Sequence, residues 1–317
     1  MKLYFLALFL FFTSQCFAQV ENKTYYDKNG RFPKSTDSIY YIQIIGPDTA
    51  SNLFNVQQFY KNGHPKLIGK STSLTSTVFE GSVIEYYHNA KRKSITNYKD
   101  GGKSGSYYEY FPSGKLYIHK EYTPKKNLSD SLNFTVQNVN DTTGLATVVD
   151  GNGIYNIYDE NFSHITESGP IKKGKRNGEW RGAYKERGIT FIEAYADGEL
   201  ISGEAIFMGQ RSSYKKRFIL PVFPGGDVAF GRFLGMHMRY PMIDLQNKVQ
   251  GRVLLTFIIE KDGKVTNLEV LSSLSPTTDK EAIKILTASS PWVNAVEFGF
   301  PAKMQYTMPI NFSMVTE

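Results

Sequence analysis

The sequence predicts a β-rich chain in two parts: an array of repeating β-hairpins, then a smaller α+β domain reading helix, β-β-α-β. Three observations carry this. Glycines and aromatics return at a fixed interval through the middle of the chain: Gly81 to Gly105, Tyr86 to Tyr110 and Gly174 to Gly198 are 24 residues apart, and Gly153 to Gly178 and Gly178 to Gly203 are 25. A period of that length means stacked units that bury their apolar faces on one another. The 21 Tyr and 22 Phe, against 2 Trp, suit strands with broad aromatic faces. Finally, residues 304–312 alternate apolar and polar at period 2 around Pro309, which marks an edge strand.

At the N-terminus, Lys2 precedes an apolar run over residues 3–12, and Cys16 and Ala18 put small residues at the −3 and −1 positions of a cleavage site. Residues 1–18 therefore read as a secretory signal peptide. The run is shorter than the roughly 20 residues of a spanning helix, but no charge intervenes before Glu21, so an uncleaved inner-membrane anchor stays open. Lipidation of Cys16 is disfavoured by Gln15. Cleavage after Ala18 would remove the single cysteine, excluding disulfides and thiolate metal sites from the mature chain. The net charge of +7 is spread along the sequence, and its densest basic runs, 172–176 and 215–217, are short and read as solvated loops. Nucleic acid is not an expected partner.

Residues 19–55 form a lead-in, 56–207 the repeat region and 208–222 a connector. Within the repeats, Asn62-Gly63, Asp100-Gly101, Ser113-Gly114, Asn177-Gly178 and Asp197-Gly198 read as hairpin turns between short aromatic runs. The unit Gly81-Ser82-Val83-Ile84-Glu85-Tyr86-Tyr87, answered by Gly105-Ser106-Tyr107-Tyr108-Glu109-Tyr110-Phe111, resembles divergent MORN-type repeats, with Trp180 at the core position and Tyr107 in its place elsewhere. Residues 123–147 are poor in glycine and mark an insertion or a weak repeat. Surfaces of this kind bind protein, cell-wall glycan or lipid, and the residues do not choose among them.

The C-terminal domain, 223–317, opens on the turn Phe223-Pro224-Gly225-Gly226. Asp227 is placed to cap a helix through Val228, Phe230, Phe233 and Leu234, and Tyr240-Pro241 ends it. Val253, Leu255, Phe257 and Ile259 form one face of a strand, Asp262-Gly263 turns it, and 265–271 returns. Thr278 to Glu281 reads as a capping box before a stripe of Ala282, Ile285 and Leu286. Ser290-Pro291-Trp292 breaks that helix. In the final strand, if Pro309 points outward, so do the amides of Gln305, Thr307 and Asn311.

These residues, together with Gln250-Gly251-Arg252-Val253, Lys261-Asp262-Gly263-Lys264-Val265, Pro291-Trp292 and Tyr306-Thr307-Met308-Pro309-Ile310-Asn311-Phe312, resemble the C-terminal domain of TonB-type energy transducers. The resemblance implies a periplasmic domain of the Gram-negative envelope. Such a domain captures the TonB box of an outer-membrane receptor by strand addition, here along Gln305, Tyr306, Thr307, Met308, Pro309, Ile310 and Asn311. It also implies ExbB–ExbD motor proteins as partners. Peptidoglycan and a second copy of the chain are further candidates, and a non-catalytic repeat scaffold is the alternative function. Where the family has Lys-Pro-Gly after the tryptophan, this chain has Val293-Asn294-Ala295. His64, His88, His119, His164 and His237 are scattered, and no catalytic or metal-binding spacing occurs. The expectation is a chain without cofactor or enzymatic activity.

Overall fold

A computed structural model of the chain describes residues 21–123 and 133–314; the signal-peptide reading and Cys16 lie outside them. The described residues fall into two compact units, 21–155 with 171–175 and 156–170 with 176–314. The first unit is an antiparallel meander. Its strands β1 (Asn22–Tyr26), β2 (Tyr41–Pro47), β3 (Phe54–Tyr60), β4 (Pro65–Ser71), β5 (Phe79–Tyr86), β6 (Arg92–Lys99), β7 (Gly102–Tyr110), β8 (Leu116–Thr123), β9 (Asn133–Asn140) and β10 (Ala146–Val149) each pair with the next, and β10 pairs with β11 (Asn152–Tyr158). Pairing thus starts at Asn22 rather than near residue 56, and Tyr26 stacks on Tyr41 at 4.9 Å. The expected lead-in belongs to the array.

The sequence period has a direct physical counterpart. The Tyr60 hydroxyl donates to the Tyr86 carbonyl at 2.8 Å, Tyr87 to Tyr110 at 2.6 Å, and Asn89 Nδ2 to Pro112 at 3.1 Å. Each bond ties one hairpin to the next copy about a repeat away, while Val56 and Val83 supply the apolar contact beneath. Residues 133–149 continue the ladder, with Tyr122 opposite Phe134 and Ile118 opposite Val139. The described part of the glycine-poor segment is thus paired strand. Asp141 Oδ1 takes the amides of Thr143, Gly144 and Leu145 and so holds the turn there.

In the second unit, β12 (Ile165–Lys172) pairs with β14 (Gly178–Tyr184), followed by β15 (Ile189–Ala196), β16 (Glu199–Phe207) and β17 (Gln210–Tyr214). The array therefore runs past residue 207. A two-residue strand, β13 (Lys175–Arg176), shows that the turn expected at Asn177-Gly178 lies elsewhere. The hairpin turn is Lys173-Gly174, with φ of 50° and 76°; Gly178 also has a positive φ, 76°, but opens β14, and the Asn177 amide before it donates to Pro170 O across the ladder. Glycine stands opposite an aromatic in the β14–β15 and β16–β17 pairings: Gly182 faces Phe191 and Gly203 faces Tyr214 directly across the strands. A Cβ on Gly182 would come within 2.1 Å of the Phe191 ring. The ring lies on the space that the missing side chain leaves, which is why glycine and aromatic recur together. Gly182→Val is expected to destabilise the second unit by about 1–3 kcal/mol through overpacking, read as a lowered denaturation midpoint.

Beyond β17 come β18 (Phe218–Ile219), α1 (Gly226–His237), α2 (Met242–Gln246), β19 (Gly251–Ile259), β20 (Val265–Ser272), α3 (Pro276–Ala288), β21 (Ala295–Glu297), β22 (Phe300–Ala302) and β23 (Met304–Phe312). They make two small sheets, ordered β20-β19-β23 and β18-β21-β22. Val253, Leu255, Phe257 and Ile259 form a core with Ala282, Leu286, Ile310 and Phe312; burying each large side chain contributes about 1.5–3 kcal/mol. Two helix starts differ from expectation. Gly225, at φ 85°, is the N-cap of α1, and Asp227 sits in its first turn, where its charge favours the helix dipole. The α3 capping box is Ser275 with Thr278, because Pro276 fits the first helical position and starts the helix a turn early. Glu281 is left to accept the Arg239 amide at 2.8 Å.

Candidate peptide-docking edge

The final strand owes its position to its two faces. Met304, Tyr306 and Met308 are half-buried and Ile310 and Phe312 buried, whereas Gln305, Thr307, Pro309 and Asn311 are exposed. The apolar face packs inward: the Tyr306 ring lies 5.8 Å from Phe257 and 6.1 Å from Trp292, and Phe312 meets Tyr240 edge-on at 5.7 Å. On the outer face, Gln305 Nε2 donates to Thr256 Oγ1 at 2.9 Å.

Among the described residues β23 pairs with β19 alone, in unbroken register from Met304 opposite Ile259 to Phe312 opposite Gly251. Thr256 Oγ1 donates to the Tyr306 carbonyl at 3.2 Å, so Tyr306 and its even-numbered neighbours face β19. Backbone groups alternate sides along a strand. Gln305, Thr307, Pro309 and Asn311 therefore present theirs to the open side, and Pro309, opposite Leu254, loses no ladder bond. Of the seven residues expected to form the docking edge, these four line it. Tyr306 and Met308 contribute backbone only to the β19 side and flank the edge with their side chains. Ile310 is buried in the core and contributes no side-chain surface.

Residues 236–314 match the family model described as the Gram-negative bacterial TonB protein C-terminal. The chain carries a TonB C-terminal domain. No curated protein matches the chain. The TonB domain as matched includes β19, β20, α3 and β23, while α1 starts ahead of it. A domain of this family points to the Gram-negative cell envelope and to outer-membrane receptors as the general class of partner. Among the described residues no helix is long and apolar enough to cross a membrane, and no cluster of three His, Cys, Asp or Glu side chains is placed to hold a metal ion.

Where the TonB pattern departs at Val293-Asn294-Ala295, the chain forms the hairpin β21–β22. Its two-residue turn, Phe298-Gly299, has φ values of 51° and 77°. Phe298 is 1% exposed and stacks on Phe191 at 4.8 Å, with Tyr184 and Tyr214 around it, so the hairpin tip is seated in the aromatic end of the strands β14–β17. The Phe298 amide donates to Arg217 O at 2.7 Å. The Arg217 guanidinium then spans two buried carboxylates, Nε to Glu193 Oε1 at 2.9 Å and Nη1 to Glu167 Oε1 at 2.8 Å. Burial alone would raise the Glu167 pKa, but the Arg217 hydrogen bond and the Arg176 and Arg217 charges outweigh it and hold the carboxyl at about 2. Arg217, expected in a solvated basic loop, is thus a bridge, while Lys215 and Lys216 are exposed. The hairpin had a sequence signal in Phe298-Gly299 between Val296 and Phe300. Arg217 had none, since its partners lie 24 and 50 residues away.

Proposed function

We propose that this chain is a TonB-like component of the cell envelope, working on the periplasmic side, that captures an extended peptide of an outer-membrane receptor by adding it as a strand beside β23. The observation that carries this reading is the open edge of β23, with Gln305, Thr307 and Asn311 offering donors and Pro309 breaking the row. Main-chain hydrogen bonds would supply affinity, and the half-buried Tyr306 and Met308 would supply side-chain contact. The MORN-like array serves as spacer or anchor, and no catalytic step is assigned to the chain. Coupling to an ExbB–ExbD motor belongs to the same proposal and would need an N-terminal anchor.

A seven-residue TonB-box peptide, added to the full chain, is expected to slow amide hydrogen exchange at Gln305, Thr307 and Asn311. Thr307→Pro removes an outward donor without costing a backbone bond to β19, losing there only the 3.5 Å contact of the Thr307 hydroxyl with Thr256 Oγ1, so it should weaken binding about 10-fold, the equivalent of roughly 1.4 kcal/mol, while the unfolding midpoint changes little. Protection confined to the repeat strands would instead support the scaffold function, in which the array is the binding surface.

A further inference from the structure

The open edge does not end where β23 begins. Only Lys303 separates β22 from β23, and among the described residues β22 is itself the outer strand of its sheet. From Phe300 to Phe312 the exposure alternates without a break: the even-numbered residues are buried or half-buried, and Pro301, Lys303, Gln305, Thr307, Pro309 and Asn311 are all exposed. In a two-residue hairpin the residues flanking the turn exchange hydrogen bonds. Glu297 and Phe300 flank Phe298-Gly299, so Phe300 and Ala302 face β21 and Pro301 faces away. That is the parity found independently on β23 from Tyr306. The two prolines of the segment, Pro301 and Pro309, both fall on the open side, where neither loses a ladder bond.

We infer that the peptide-docking edge is composite, running from Pro301 to Asn311 across β22 and β23, and that it takes a partner segment of about eleven residues, about 34 Å long at 3.4 Å per residue. The inference rests on the strand-capture function proposed above and adds a second subsite to it. The added part offers the Lys303 amide as a fourth donor and the Lys303 ammonium on the exposed face. A cross-strand carboxylate would pair with that ammonium. The matching partner chemistry is an extended peptide of alternating apolar and polar residues with an acidic stretch at the end that meets β22. The subsite is built on the hairpin β21–β22, whose position is fixed by Phe298 in the aromatic pocket and by Arg187, whose Nη1 lies 2.9 Å from Glu297 Oε1.

The test uses the full chain, the seven-residue TonB-box peptide, and two versions lengthened by Thr-Glu-Thr-Glu at one end or the other. One lengthened peptide is expected to bind at least 10-fold tighter than the short one and to protect the Lys303 amide from exchange. Lys303→Pro, at a position whose parity already tolerates two prolines, should abolish that gain and leave short-peptide affinity within twofold. Lys303→Gln keeps the donor and loses the charge, so part of the gain should survive. If the short peptide binds but neither extension improves on it and Lys303 exchange is unchanged, the edge stops at Met304 and the composite site is wrong. If the short peptide fails to bind as well, strand capture itself fails and the composite site falls with it.

Discussion

Arg217→Met is expected to cost the second unit about 3–5 kcal/mol at pH 7, the usual penalty for leaving a buried carboxylate without its cation. The side chain of Glu193 is fully buried and that of Glu167 5% exposed. Glu167 would keep Arg176, 2.8 Å away. Glu193 would keep only the hydroxyls of Tyr214, at 2.8 Å, and Tyr195, at 2.9 Å. Adding Glu193→Gln removes the orphaned charge while its amide oxygen still accepts from Tyr214, so the double variant should regain much of the loss. Two independent and additive losses would mean that the bridge is not the source of the stability.

The same bridge sets an acid limit. Glu167 is held at a pKa of about 2 in the folded chain, against an ordinary glutamate value of 4.5. Its contribution, about 3 kcal/mol at 1.36 kcal/mol per unit, is present above pH 4.5 and is lost as the pH falls from 4.5 to 2. Removing Arg217 raises the folded pKa, so in the variant this loss covers a smaller part of that range. Denaturation midpoints from pH 7 to pH 2 would read both effects.

Local chemistry made most of the fold legible. The final strand and the α3 stripe are each specified by residues within ten positions of one another, the β19–β20 hairpin by the Asp262-Gly263 turn between two apolar runs, and the turn at Asp100-Gly101 carries the positive φ values its residues favour. The array was visible because its spacing is covalent: similar chain lengths, 26 and 23 residues, bring Tyr60 to Tyr86 and Tyr87 to Tyr110. Two kinds of feature are not legible in this way. Helix starts slipped by a turn where Ser275-Pro276 offered an earlier cap than Thr278. The seating of Phe298 and the bridging by Arg217 depend on Phe191, Glu193 and Glu167, which no periodicity links to them. A basic residue in a Lys-Lys-Arg run looks the same in sequence whether it faces water or two buried carboxylates.

Phe298→Ala should be the second most damaging single change, at about 3–5 kcal/mol for a buried phenylalanine whose pocket cannot collapse. Tyr184, Phe191 and Tyr214 hold the pocket open, since each is fixed on its own strand. The consequence for function separates this residue from an ordinary core position. The α3 core, built on Phe257 and Leu286, does not include Phe298, so exchange in α3 should stay slow while exchange across residues 295–302 rises. With the hairpin loosened, β22 no longer continues the edge of β23, and the lengthened peptide should bind only as tightly as the short one. Phe298→Leu, which keeps most of the apolar volume, should restore part of the difference. If Phe298→Ala lowers stability but leaves the lengthened peptide its full advantage, then seating the hairpin serves the fold alone and the outer edge of β22 is positioned by its bonds to β21.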